Sequence, residues 1–180
     1  MICIIVLEHI DIRKQGELEM RRSDREVKGR QNVFDILMKC DILRLGINTP
    51  DFPYIVPMNF GAELDGQAMT IWLHCAHEGL KLDLIERDPR VGFEADCSLK
   101  LLPAEKAGNF SMAYESVIGH GSVSICGDNE SKLRGLKALM RHYVPDRDFG
   151  FTDSELGTVC VLRIDVLQAT GKRNKAVDGG

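Results

Sequence analysis

Between Ile42 and Cys75 three β-rich runs, 42–47, 53–60 and 68–75, follow one another with only NTPD and ELDGQ between them. Turn residues at such short intervals predict strands that pair antiparallel, as in a meander. Pro53 and Pro57 fall inside the second run. A proline has no N–H to give to a ladder, so this run is expected at a sheet edge or a bulge.

The remaining pattern adds helices around this meander. Val33, Ile36, Leu37 and Cys40 fall at helical spacing, which predicts a short amphipathic helix within 24–40 with Asn32 as its N-cap. A second helix is expected over 78–88, carried by Leu80, Leu82, Leu84 and Ile85 and stopped by Pro89. The clearest helix is DNESKLRGLKALMRHYV, with Leu133, Leu136, Met140 and Tyr143 along its stripe and Asp128 or Asn129 as cap. VGFEADC, SVIGHGSVSIC and GTVCVLRIDVLQATGK read as strands, whereas SLKLLPAEKAGNFSMA resists assignment and reads as holding a long loop. The expected fold is mainly β, an antiparallel barrel with three or so short accessory helices, and not a βαβ fold.

A length of 180 residues fits one domain. A net charge of -4 offers no general attraction to nucleic acid or anionic lipid, so neither is an expected partner. The opening run ICIIVL is far short of the roughly 20 residues that span a bilayer, and it lacks the basic flank of a signal peptide. Residues 1–19 are expected to be an N-terminal extension, 20–172 the folded domain and 173–180 a tail. The six cysteines are scattered without a CxxC pair, several inside apolar runs, which reads as reduced thiols in a cytoplasmic protein.

The sequence holds no GxxxxGK[ST], HExxH or GxSxG. GHG at 119–121 lies within a strand pattern, not before a helix, and so does not read as a phosphate loop. HCAH at 74–77 brings histidine and thiol together. Strand alternation turns His74 and Cys75 to opposite faces, and no second ligand pair follows, so no metal site is expected. In WLHCAHEGLKLDLIERDP, a glycine and a lysine open a helix, combining free backbone N–H groups with a cation. That arrangement suits a monophosphate.

This segment resembles the phosphate-binding motif of the FMN-binding split barrels. So, in order, do MRRSDREV, ILRLGI, PYIVPMNFG, YESVIGHG, LKALMRHY and VLRIDVLQATGK. Together they are similar to the nitroimidazole-resistance branch of the pyridoxamine-phosphate-oxidase-like superfamily. The resemblance implies a split β-barrel that binds FMN, with FAD as a variant. It implies a homodimer with the flavin at the subunit interface, acting on a small-molecule acceptor. By position, Val56, Pro57, Met58 and Asn59 would flank the isoalloxazine, and His74 and Cys75 would stand beside it. Gly79, Leu80 and Lys81 would form the phosphate loop, Ser116 would come from the partner subunit, and His74 would act in catalysis. Superfamily oxidases carry arginine at the Val56 position, threonine or serine at Cys75, and a basic residue at Leu80, which implies a weaker phosphate grip here. The alternative reading is a flavin or haem protein without turnover (a sensor, carrier or store), with His74, His77, His120 and His142 as candidate haem ligands.

Overall fold

A computed structural model describes residues 23–174. The expected extension 1–19 and the tail beyond Asn174 lie outside the described residues. The elements are β1 (Glu26–Val27), α1 (Arg30–Leu37), β2 (Leu43–Ile47), β3 (Tyr54–Met58), β4 (Phe60–Asp65), β5 (Ala68–Cys75), α2 (Leu80–Arg87), β6 (Arg90–Leu102), β7 (Ser111–Ile125), α3 (Asn129–Tyr143), α4 (Asp153–Gly157) and β8 (Cys160–Asn174).

All eight strands join one antiparallel sheet in the order β3-β2-β6-β7-β8-β5-β4, with β1 paired to the far end of β8. The two ends of this order, β3 and β4, are separated in sequence by Asn59 alone. The sheet therefore returns on itself through one residue, closing the path of a split barrel. Asn59 is exposed between buried Met58 and Phe60, so the chain bends there without losing its inward alternation. The proline-bearing β3 pairs only with β2, as expected of an edge strand.

Leu43, Leu45 and Ile47 of β2 pack inside with Met69, Ile71 and Leu73 of β5, Val91, Phe93 and Ala95 of β6, and Leu162 and Ile164 of β8. Ile36 and Leu37 of α1 complete this core. Burying each large aliphatic side chain contributes roughly 1.5–3 kcal/mol against conformational entropy. A second cluster lies outside the barrel wall, where Trp72 and Val161 meet Leu136, Ala138 and Leu139 of α3 and Leu156 of α4. Glu63 fastens α3 to β4: its carboxylate accepts from Arg134 Nε at 2.7 Å, Arg141 Nη2 at 2.7 Å and Trp72 Nε1 at 3.1 Å.

Five features differ from the sequence reading. The N-cap of α1 is Gly29 at φ 89°, and Asn32 instead donates its side-chain N–H to the Lys28 carbonyl at 2.8 Å. ELDGQ is mostly strand: β4 runs to Asp65, and Gly66 at φ 58° makes a tight turn into β5. The stretch read as a long loop is largely the outer ends of β6 and β7, interrupted by a register shift between Cys97 and Lys100. α4 is an additional helix, opened by a capping box between Thr152 and Glu155. β8 continues through Arg173 and Asn174, which pair with Glu115 and Tyr114. The expected cap Asp128 does accept from Ser131 N, at 2.7 Å. Among the described residues no helix is long and apolar enough to cross a membrane.

Candidate functional site

The bend at Asn59, the end of β5 and the start of α2 meet at one corner of the barrel. There a cleft of about 460 Å³ is lined by Pro57, Met58, Asn59, His74, Cys75, Ala76, Lys81, Thr158 and Val159. Residues from two segments, 57–59 and 74–81, thus line one cleft.

Gly79 opens α2 at φ 137°, a conformation that only glycine adopts without strain, and no side chain caps this helix end. Its carbonyl accepts from Leu82 N at 2.9 Å. One residue into the helix, Lys81 reaches the cleft, with Nζ 3.9 Å from Met58 Sδ. Among the described residues no carboxylate is paired with that ammonium. An unpaired cation beside an uncapped helix start is a donor set that fits a phosphate. Leu80, 57% exposed, adds no charge to it.

His74 is exposed on the outer face of β5 and stands between two spaces. It lines the cleft, and it also lines an adjoining apolar chamber of about 400 Å³ formed by Leu136, Leu139, Met140 and Tyr143 of α3 with Phe151, Glu155, Thr158 and Val159. Asn59, His74, Thr158 and Val159 border both. The chamber wall is firmly held: the Tyr143 hydroxyl donates to the Asp41 carbonyl at 2.7 Å and accepts from Phe60 N at 3.1 Å. His77 Nε2 donates to the Gly157 carbonyl at 3.0 Å, tying α4 to the loop before α2.

Four of the expected site residues do not line this chain's cleft. Val56 turns inward and packs against the barrel core, so its side chain is not part of the cleft wall. Gly79 and Leu80 do not line the cleft; they form the start of α2 that carries Lys81. Ser116 sits half-buried in the middle of β7, opposite Asp96 and Lys172, away from this chain's own cleft. Thr158 and Val159 were not anticipated. They follow α4, and its T-x-x-E capping box is the sequence signal that could have pointed to them.

Of the four candidate haem ligands, His77 and His142 already use Nε2 on backbone carbonyls, His142 on Cys40 at 2.9 Å. His120 lies half-buried within β7, and only His74 faces the cleft. Among the described residues no three His, Cys, Asp or Glu side chains gather as a metal site. The five described cysteines are unbridged, and Cys3 lies outside the described residues. Burial, and then the neighbouring Cys160 thiol, push Cys75 up to about 11, with the Lys81 ammonium working against them.

Residues 29–173 match the family profile described as pyridoxamine 5'-phosphate oxidase. A candidate 5-nitroimidazole antibiotic resistance protein from Bacteroides thetaiotaomicron is 32% identical, with 82% of this chain and 85% of that chain covered and a TM-score of 0.71. Two more distant structures share the fold. A flavocytochrome from Azotobacter vinelandii is 19% identical over 88% of this chain and 73% of its own, at TM-score 0.74. An FAD- and haem-binding protein from Mycobacterium smegmatis is 16% identical over 84% and 74%, at TM-score 0.73. No curated protein matches the chain. With the profile spanning nearly all the described residues and the barrel closing as such barrels do, the chain belongs to the pyridoxamine 5'-phosphate oxidase-like family of split barrels.

Proposed function

We propose that the protein binds FMN in the cleft at the β3–β4 bend and serves as a flavin-dependent reductase of a small acceptor. The observation that carries this reading is the unpaired Lys81 ammonium at the glycine-opened start of α2, facing Met58, Asn59, His74 and Cys75 across one cleft. Lys81 and the first N–H groups of α2 would hold the phosphate. Pro57, Met58 and Asn59 would lie along the ring edge. A bound flavin supplies electron or hydride transfer, and the protein supplies position and electrostatics. His74, between the cleft and the apolar chamber, would hold or orient the acceptor and present a proton to it.

The reading includes a homodimer in a reducing compartment. Its support is an apolar strip on the outer face of the β6–β7 hairpin. Leu101 stands opposite Met112, and Ile118, 50% exposed, shares the Met112 face of β7. Ser116 lies on that same face, between Met112 and Ile118, so a second copy covering the strip would bring Ser116 towards the partner's cleft.

The test is FMN affinity with a riboflavin control, measured by quenching of flavin fluorescence. Lys81→Ala removes a charge-assisted hydrogen bond worth about 1.5–3 kcal/mol, so the FMN Kd should rise by about one to two orders of magnitude. Riboflavin, which has no phosphate, should bind both proteins equally. His74→Ala should keep FMN binding and lose acceptor reduction. An FMN Kd unchanged by Lys81→Ala, or a purified protein showing a Soret band in place of flavin absorption, would overturn the assignment.

A further inference from the structure

Cys75 and Cys160 are register partners in the last rung of the β5–β8 ladder. Side chains directly opposite in an antiparallel pair point to the same face, with Cβ atoms about 4.5–5.5 Å apart. A disulfide asks for Cβ atoms about 3.5–4.5 Å apart and Cα atoms about 4.4–6.8 Å apart. Antiparallel Cα separations of about 4.5–5.5 Å already satisfy the second condition, so at most about 1 Å of Cβ closure remains. This rung can supply it, because β5 ends at Cys75 and β8 begins at Cys160. The Cys160 thiol stands near enough to Cys75 to act on it electrostatically and raise its pKa.

Their exposures differ in a useful way. Cys160 is 4% exposed and belongs to the barrel core, whereas Cys75 is half-buried and forms part of the cleft wall beside Met58 and Lys81. One sulfur can therefore be reached from the cleft, and the other waits behind it. The remaining neighbouring thiols lack this arrangement. Cys40 is fully buried, with Sγ donating to the Ile36 carbonyl at 3.3 Å, and neither it nor Cys97 lines the cleft.

We propose that Cys75 and Cys160 form a redox-active dithiol in the cleft wall, closed to a cross-strand disulfide by a small hydroperoxide entering the cleft. The Cys75 sulfur attacks the distal peroxide oxygen. The O–O bond breaks, an alcohol or water leaves, and Cys75 becomes a sulfenic acid. The Cys160 sulfur then attacks Cys75 Sγ, the S–O bond breaks, and water leaves as the S–S bond forms. The two thiols lose two electrons and two protons, and the hydroperoxide takes up both. Burial keeps Cys75 protonated at neutral pH, so the first step accelerates as pH rises. The inference stands apart from the flavin reading, since it needs the cleft and not its occupant.

The test uses the full-length protein treated with hydrogen peroxide, quenched, denatured, alkylated with N-ethylmaleimide and mapped by mass spectrometry without reductant. The expected result is the loss of two alkylation sites and a peptide linked through Cys75 and Cys160, reversed by dithiothreitol. In Cys160→Ser the sulfenic acid should accumulate on Cys75 and be captured by dimedone. In Cys75→Ser the same dose should leave Cys160 alkylatable. The proposal is overturned if peroxide doses that oxidise exposed methionine leave both thiols free. It is equally overturned if the linked peptide joins Cys40 to Cys97, or if wild-type Cys75 passes to the sulfonic acid without a link.

Discussion

Gly61 is where α3 is laid against the sheet, and Gly61→Ala tests how tightly. A Cβ built on Gly61 lies 2.5 Å from the Ala138 carbonyl oxygen and closer still to Ala138 C and Leu139 N, where ordinary contact begins near 3.4 Å. The atoms it meets are helix backbone, so no side-chain rotamer relieves the clash, and α3 must retreat by about 1 Å. That retreat loosens the cluster of Trp72, Leu136, Leu139, Leu156 and Val161 and widens the chamber that His74 borders. Overpacking of this kind costs about 3 kcal/mol, and the loss of glycine's freedom in the unfolded chain returns up to about 1 kcal/mol. The net cost of about 2 kcal/mol lowers Tm by about 4–8 °C in a chain of this length. Gly157→Ala is the matched control, at the end of α4 with no atom within 4 Å of its Cβ and no positive φ. Thermal unfolding followed by circular dichroism should separate the two variants clearly. If Gly61→Ala melts at or above Gly157→Ala, the close approach of α3 to β4 is not a feature of the folded protein.

Two further outcomes follow from the charges and the exposed strip. Burial opposes ionisation of Glu63, yet Arg134, Trp72 and Arg141 together outweigh it and hold its carboxyl below the usual range. Its stabilising contribution is therefore present above the unfolded carboxylate value and lost as pH falls through the folded one. Glu63→Gln should lower Tm at pH 7 by an amount matching about 1 kcal/mol, and the difference from wild type should shrink below about pH 4; a constant difference across pH would remove the ionic explanation. For the proposed dimer, wild type should sediment at about 40 kDa, twice the 20.1 kDa chain, and Ile118→Arg at the single-chain mass. A wild-type monomer at micromolar concentration would rule out the subunit contact.

The strands with strong alternation were legible because one face of each is buried. Val91, Phe93 and Ala95, or Leu162 and Ile164, announce themselves by period two. β4 was hidden by composition. Glu63, Leu64 and Asp65 look like turn residues, but Glu63 is held by Arg134 and Arg141 from α3, partners supplied from more than seventy residues away. No local window contains that information. Asn32 was misread as a cap for a related reason: Gly29 already provides the turn into α1, leaving the Asn32 side chain to bond backward to Lys28. The long ends of β6 and β7 were obscured because Leu99, Leu101 and Met112 are exposed in the single chain and so do not alternate against a core.

The same contrast between local and distant information explains the site. Lys81 behind Gly79 is a local arrangement, and a sequence can show it. The direction of Val56 is also local, since β3 alternation places it with Tyr54 and Met58 on the inner side, and family position alone obscured this. Thr158 and Val159 reach the cleft because they lead into β8, whose first residue pairs with Cys75 at the end of β5, while His77 grips the Gly157 carbonyl. The pairing of Cys75 with Cys160 is the extreme case. In sequence the two cysteines are unremarkable members of separate apolar runs, and a thiol in such a run reads as a small hydrophobe. Strand pairing turns them into neighbours, and the cleft exposes one of the two. A position that superfamily oxidases fill with a hydroxyl residue carries here a thiol backed by a second thiol. The chemistry of this cleft is therefore set as much by which strands meet as by which residues they bring.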